Sequence, residues 1–138
     1  MLKQKTISTN LSFKGFGLHT GKEVDLVIEP AEANYGLQFS RVDLDSHPII
    51  PAGVEYVTDT KRSTTIEKNG VKVVTVEHLL SALYALGIDN ALIKINSEEL
   101  PILDGSAAPY VEALKQIDFI EQSPSKSYIS LHKSSTYK

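Results

Sequence analysis

The sequence predicts an α+β fold, a two-layer sandwich in which a mostly antiparallel sheet packs against two helices. Short alternating segments rich in β-branched residues fill the chain as far as Val74, and an Asn-Gly pair sits between two of them. Only then do apolar residues recur at helical spacing, over 76–86 and again over 110–117, with one more strand pattern in between. Strands first, then helix, strand and helix, place both helices on one face of the sheet. The other face is left to solvent or to another domain.

A chain of 138 residues, 41% hydrophobic and 22% charged, can remove roughly two thirds of its unfolded surface from water as one domain. Its 14 basic and 17 acidic residues give a net charge of −3, which argues against a general nucleic-acid binder while allowing a local basic cleft. There is no cysteine, so disulfides and thiolate metal sites are excluded and any metal must be held by His, Asp or Glu. No stretch approaches the ~18 consecutive apolar residues of a membrane span. Met1-Leu2-Lys3-Gln4-Lys5 runs into a strand pattern without the apolar core of a signal peptide, so a cytoplasmic soluble protein is expected.

Residues 5–13 alternate imperfectly and read as a first strand. Gly15-Phe16-Gly17-Leu18-His19-Thr20-Gly21 then places three glycines around one histidine. Such a loop can bring backbone close to a ligand, or it can be a tight connection with a surface histidine. Residues 23–30 and 36–42 read as strands, the first ended by Pro30, and 43–48 as a polar turn in which His47 is exposed. Residues 49–57 are β-rich but interrupted by Pro51 and Gly53, as in an edge strand or a bulge. In 58–66, hydroxyls stand beside Lys61 and Arg62, a composition that suits an anion site or an ordinary strand. Asn69-Gly70 between 64–67 and 71–74 is a strong hairpin signal.

That hairpin leads into the first helix. Val76, Leu79, Leu80, Leu83 and Leu86 form its apolar stripe, Thr75 is the expected N-cap, and Gly87 closes it in a left-handed conformation. With Thr75 as cap, Glu77 and His78 fall at the second and third helical positions, roughly 100° apart around the axis. An acid and an imidazole therefore point together towards a cleft at the helix N-terminus. Residues 90–96 form the next strand and Asp104-Gly105 a turn. A second helix starts near Ser106, tolerates Pro109 in its first turn, carries Tyr110, Ala113, Leu114 and Ile117 along one face, and ends near Asp118. Residues 122–127 have linker composition, and 128–132 resume alternation as if a second domain were beginning, which makes 1–121 the first domain and 128–138 the start of a truncated second one.

Catalytic zinc is usually held by three protein ligands with water in the fourth position, and a nearby carboxylate can act as general base. Glu77-His78 offers one ligand and one base. His19, His47 and His132 complete no recognised zinc spacing.

Four stretches taken together say more: the 15–21 loop, Arg62-Ser63-Thr64-Thr65-Ile66, the helix from Thr75 to Leu83, and Leu100-Pro101-Ile102-Leu103-Asp104-Gly105-Ser106-Ala107. In this order and spacing they resemble the N-terminal half of the UDP-3-O-acyl-N-acetylglucosamine deacetylases, zinc amidases of lipid A biosynthesis in Gram-negative bacteria. The resemblance covers about residues 3–121. It implies a ribosomal protein S5 domain 2-like sandwich in each half of a two-domain enzyme, with the active site between the halves. It further implies that His78 is the first zinc ligand and Glu77 the general base, with His19, Arg62, Ser63 and Thr64 bordering the cleft for the UDP-sugar lipid substrate. Asp104-Gly105-Ser106 matches a structural turn.

Two departures stand out. Ser63 occupies a position where the family often has Cys, and serine is compatible with packing there. The family's other zinc ligands, a His and an Asp in a His-Lys-x-x-Asp motif, and a His general acid belong to the C-terminal half. His132-Lys133-Ser134-Ser135-Thr136 begins like that motif, but Thr136 replaces the aspartate and the position is too early in the chain. The expectation is an N-terminal half that binds zinc weakly and turns over negligibly alone. Other readings are a non-catalytic interaction domain that keeps the fold, and a site completed by a separate chain.

Overall fold

The structure, a computed structural model, describes residues 2–127. The strand expected at 128–132 and the His132 to Thr136 segment lie outside the described residues.

The main sheet has five strands in the order β2-β3-β9-β4-β5. β2 (Leu11–Phe16), β3 (Glu23–Pro30) and β9 (Ala91–Ile95) are antiparallel neighbours, β4 (Leu37–Arg41) runs parallel to β9, and β5 (Ile49–Pro51) is antiparallel to β4 at the edge. Period-two patterning decides which face is inward. Val24, Leu26 and Ile28 of β3 are buried, as are Ala91, Ile93 and Ile95 of β9, and the register sets Leu26 opposite Ile95 and Ile28 opposite Ile93. Over this face lie α1 (Glu77–Ala85), with Leu79, Ala82 and Leu83 buried, and α2 (Ala108–Leu114), with Tyr110 and Leu114 buried, all in one core. Each fully buried Leu or Ile contributes about 1.5–3 kcal/mol, so this interface holds the two layers together. The α+β sandwich of a mostly antiparallel sheet and two helices is thus the observed fold.

Two smaller sheets flank it. β6 (Val57–Asp59), β7 (Thr65–Lys68) and β8 (Val71–Val74) form a three-stranded antiparallel ribbon. Lys68 faces Val71 across the two-residue turn, where Asn69 and Gly70 both take positive φ (52° and 80°), as the Asn-Gly signal requires. Arg41 anchors this ribbon to the main sheet. Its buried guanidinium grips Asp43 through two bonds of 2.9 and 2.8 Å and donates to the Lys72 carbonyl at 2.7 Å. The third unit pairs β1 (Lys3–Ile7) with β10 (Phe119–Ser125).

Several local expectations change. The strand read over 5–13 is two strands in different sheets, parted at Ser8, whose N–H donates to the Asp118 carbonyl. In 49–57 the edge strand of the main sheet is Ile49–Pro51, a 3-10 turn follows at Val54–Tyr56, and Val57 already begins β6. The second helix ends at Leu114, well before Asp118. Residues 122–125, expected within a linker, belong to β10. Their Ser-Pro-Ser composition is accommodated because the register slips between Lys5–Glu121 and Lys3–Ser125, so Pro124 sits in an irregular stretch where its missing N–H costs no ladder bond.

Candidate active site

α1 begins one residue after an abrupt change of backbone direction. β8 ends at Val74, and Thr75 takes φ +63°, a left-handed conformation unusual for a β-branched residue. Val76 is the flanking residue, so Glu77 and His78 are the first and second helical residues, one position earlier than expected. Thr75 does not cap the helix; its hydroxyl donates instead to Glu99 at 2.7 Å. The other end behaves as its sequence signals. Gly87 (φ +76°) donates to Tyr84 O at 3.1 Å and Ile88 to Leu83 O at 3.0 Å, a complete Schellman closure.

Thr64 joins the hydroxyl-rich segment to this N-terminus. Its carbonyl accepts the N–H groups of Thr75 (2.9 Å) and Val76 (3.3 Å), while its own N–H donates to both carboxylate oxygens of Glu77, at 3.2 and 3.3 Å. The half-buried Glu77 is therefore fixed in one orientation, and its negative charge suits the positive end of the helix dipole. His78 is also half-buried, and among the described residues no hydrogen bond occupies its imidazole.

Glu99, which the sequence reading passed over, lies fully buried beside Thr75. It accepts from the N–H groups of His19 (3.0 Å) and Thr20 (2.9 Å) as well as from the Thr75 hydroxyl. Burial by itself pushes its pKa up, but the hydrogen bonds from Thr20, Thr75 and His19 outweigh it and hold the carboxyl below its ordinary value. The same loop explains Gly17, where a Cβ would stand 2.4 Å from Glu99 Oε1. A signal for Glu99 existed: the alternation of β9 continues past its end, so that Ala91, Ile93, Ile95, Ser97 and Glu99 are all inward.

The exposed imidazole of His19 and the exposed Arg62 (φ +65°), with half-buried Ser63, line one open cleft of about 290 Å³, together with Lys61, Lys72, Asp59 and Glu98. Thr64, Glu77 and His78 do not line it; Thr64 connects it to Glu77 through the backbone. The arrangement presents basic and hydroxyl groups to an anionic or polyhydroxyl ligand beside an oriented carboxylate and an available imidazole. Among the described residues no group of three or more His, Asp or Glu is placed to hold a metal. These residues alone therefore do not fit a catalytic zinc, for which His78 can supply one ligand.

The sequence matches the family LpxC, UDP-3-O-acyl N-acetylglycosamine deacetylase, over residues 4–138. The chain belongs to this deacetylase family. It is 50% identical over 128 residues to the bifunctional enzyme LpxC/FabZ of Bacteroides thetaiotaomicron, covering 93% of this chain and 28% of that protein. It is 49% identical over 133 residues to the UDP-3-O-acyl-N-acetylglucosamine deacetylase of Legionella pneumophila strain Corby, covering 96% of this chain and 44% of the relative. It is also 44% identical over all 138 residues to that of Geotalea uraniireducens, covering 45% of the relative. The chain thus spans less than half the length of these deacetylases. No helix among its described residues is long and apolar enough to cross a membrane.

Proposed function

We propose that this chain is the N-terminal half of a cytoplasmic, zinc-dependent amidase that removes the N-acetyl group from UDP-3-O-acyl-N-acetylglucosamine in lipid A biosynthesis. The observation that carries this reading is the family match across the chain, joined to an oriented Glu77 and an adjacent His78 at the start of α1. Residues 1–121 with β10 make up the first domain. The second follows 127 and supplies the remaining zinc ligands and the general acid, in keeping with relatives more than twice as long.

In this reading zinc, when bound, lowers the pKa of water and polarises the amide carbonyl. His78 contributes one ligand. Glu77, held by the Thr64 N–H, would take one proton of the water whose oxygen bonds to the acetyl carbon. As the carbon–nitrogen bond breaks, the general acid of the second domain would protonate the glucosamine nitrogen, so that acetate and the free amine leave. His19, Arg62 and Ser63 line the substrate cleft, where Arg62 and the hydroxyls suit a sugar diphosphate, and Thr64 joins it to Glu77 through its backbone.

The test joins the chain to the C-terminal half of a relative and measures zinc content and acetate release from UDP-3-O-acyl-N-acetylglucosamine. The joined protein is expected to bind zinc stoichiometrically and turn over. Glu77→Ala should lower kcat by about 10²–10⁴, and His78→Ala should lose zinc as well. Stoichiometric zinc and acetate release by the chain alone would overturn its incompleteness. Full activity of both variants would overturn the roles assigned and favour an interaction domain.

A further inference from the structure

We infer that Glu99 is a positioning residue of this site: its buried carboxylate ties the loop carrying His19 to the residue that sets the start of α1, holding the cleft wall and the Glu77–His78 pair in one register. The inference rests on the reading of the site given above and adds a residue to it.

Three donors converge on this one side chain, and they come from two places far apart in sequence. The N–H groups of His19 and Thr20 belong to the loop after β2, and the Thr75 hydroxyl belongs to the turn before α1. The two backbone N–H groups can only donate, so both need an acceptor, and the Thr75 hydroxyl donates to the second oxygen. A glutamine of the same shape could keep its oxygen on the two N–H groups and turn its NH2 to the Thr75 hydroxyl, but it would lose the charge that makes these bonds strong. A carboxylate at 0% exposure is costly to desolvate. Among the described residues no Lys or Arg forms a salt bridge with it, and the hydrogen bonds alone offset that cost.

The surrounding backbone is shaped to this group. Glu98 O accepts the Val74 N–H at 2.8 Å and Val74 O accepts the Leu100 N–H at 3.1 Å, so the 98–100 segment is laid along the end of β8 and brings Glu99 to Thr75. Thr75 stands in a left-handed conformation that costs a β-branched residue energy, and its hydroxyl bond to Glu99 helps retain it. Two residues later come Glu77 and then His78. On the other side, Gly17 leaves no Cβ where the carboxylate lies. A group that only filled the core would need neither the strained threonine nor the glycine.

The test uses the chain joined to a C-terminal half, with Glu99→Gln, Thr75→Val, the double variant, and Thr75→Ser as the conservative control. Amide exchange at His19 and Thr20 is followed against Leu26 and Ile93 in the central strands, and kcat and KM are measured well below the melting temperature. Glu99→Gln should speed exchange at His19 and Thr20 by about tenfold or more, leave the central strands unchanged, and lower kcat/KM by about 10–100-fold. Thr75→Val should lower kcat/KM by a smaller factor, the double variant should be no worse than Glu99→Gln alone, and Thr75→Ser should behave as the parent. Uniformly faster exchange with unchanged kcat/KM would overturn the inference, as would additive losses in the double variant. If the joined parent shows no deacetylation, the proposed function fails, while the exchange measurements still decide whether Glu99 holds the loop.

Discussion

Replacing Gly17 by alanine separates a packing requirement from a conformational one. The Gly17 backbone is not among the positive-φ positions, so alanine meets no backbone strain there. What it meets is a carboxylate: the added Cβ would lie 2.4 Å from Glu99 Oε1 and 2.5 Å from Thr20 Oγ1. Relieving that contact means moving Glu99 off at least one of its donors, about 1.5–3 kcal/mol for a charged hydrogen bond, with about 1–3 kcal/mol of overpacking. Lower freedom of the unfolded chain returns about 0.4–1 kcal/mol. The net is a destabilisation of about 3 kcal/mol. Gly21→Ala, four residues on, is the control, with φ +68° and nothing within 4 Å. It carries only the left-handed penalty of about 1–2 kcal/mol, less the same unfolded-state gain. Urea unfolding followed by circular dichroism should therefore place the Gly17→Ala midpoint below that of Gly21→Ala by roughly 1 M, for slopes of about 1–3 kcal/mol/M. Equal midpoints, or the reverse order, would refute the claim that Glu99 is locked against this loop.

Acid should unfold the protein through the same group. Glu99 and Asp43 both sit below their ordinary values of 4.5 and 3.8, Asp43 chiefly through its hydrogen bond to Arg41. Below those values the unfolded chain binds more protons than the folded one, so the stability they confer is complete above about pH 5 and is lost as pH falls through the folded pKa values. Melting temperatures from pH 2 to 7 should show this, and Glu99→Gln should flatten the acid limb. Arg41→Met leaves Asp43 and the Lys72 carbonyl without their partner. It should cost about 2 kcal/mol in urea unfolding, because Asp43 is partly open to water. Tyr110→Phe keeps the edge-on contact with Phe13 at 4.9 Å but removes the bond to Pro101 O. A loss of about 1 kcal/mol is expected in the same assay.

Signals that depend on neighbours in sequence were legible. Asn69-Gly70 specified its turn because both residues accept positive φ, and Gly87 closed α1 for the same reason. The stripe of α1 and the alternation of β3 and β9 fixed the inward faces, and with them the sandwich. What the sequence concealed depended on distant partners. Thr75 has the chemistry of a cap, yet its hydroxyl goes to Glu99, 24 positions away. Residues 122–125 have the composition of a linker, yet β1 supplies the strand they pair with. The cleft of His19, Arg62 and Ser63 could be named from family motifs, but its tie to Glu77 runs through the backbone N–H of Thr64, which no side-chain pattern encodes.

The pairing of β1 with β10 makes the fold a closed circuit. Gln4 donates to the carbonyl of Ser125, 121 positions away, and Lys126 donates its backbone N–H to the Leu2 carbonyl at 2.9 Å. The Lys126 ammonium also reaches the Gly87 carbonyl at 2.9 Å and pairs with Asp89. The path leaving Lys126 is thereby pinned to the C-terminal end of the helix whose first turn carries Glu77 and His78, about 13 Å away along its axis. Lys126 is a fixed point of departure set against the far end of that helix, as a bracket bolted to one end of a beam takes its place from the beam.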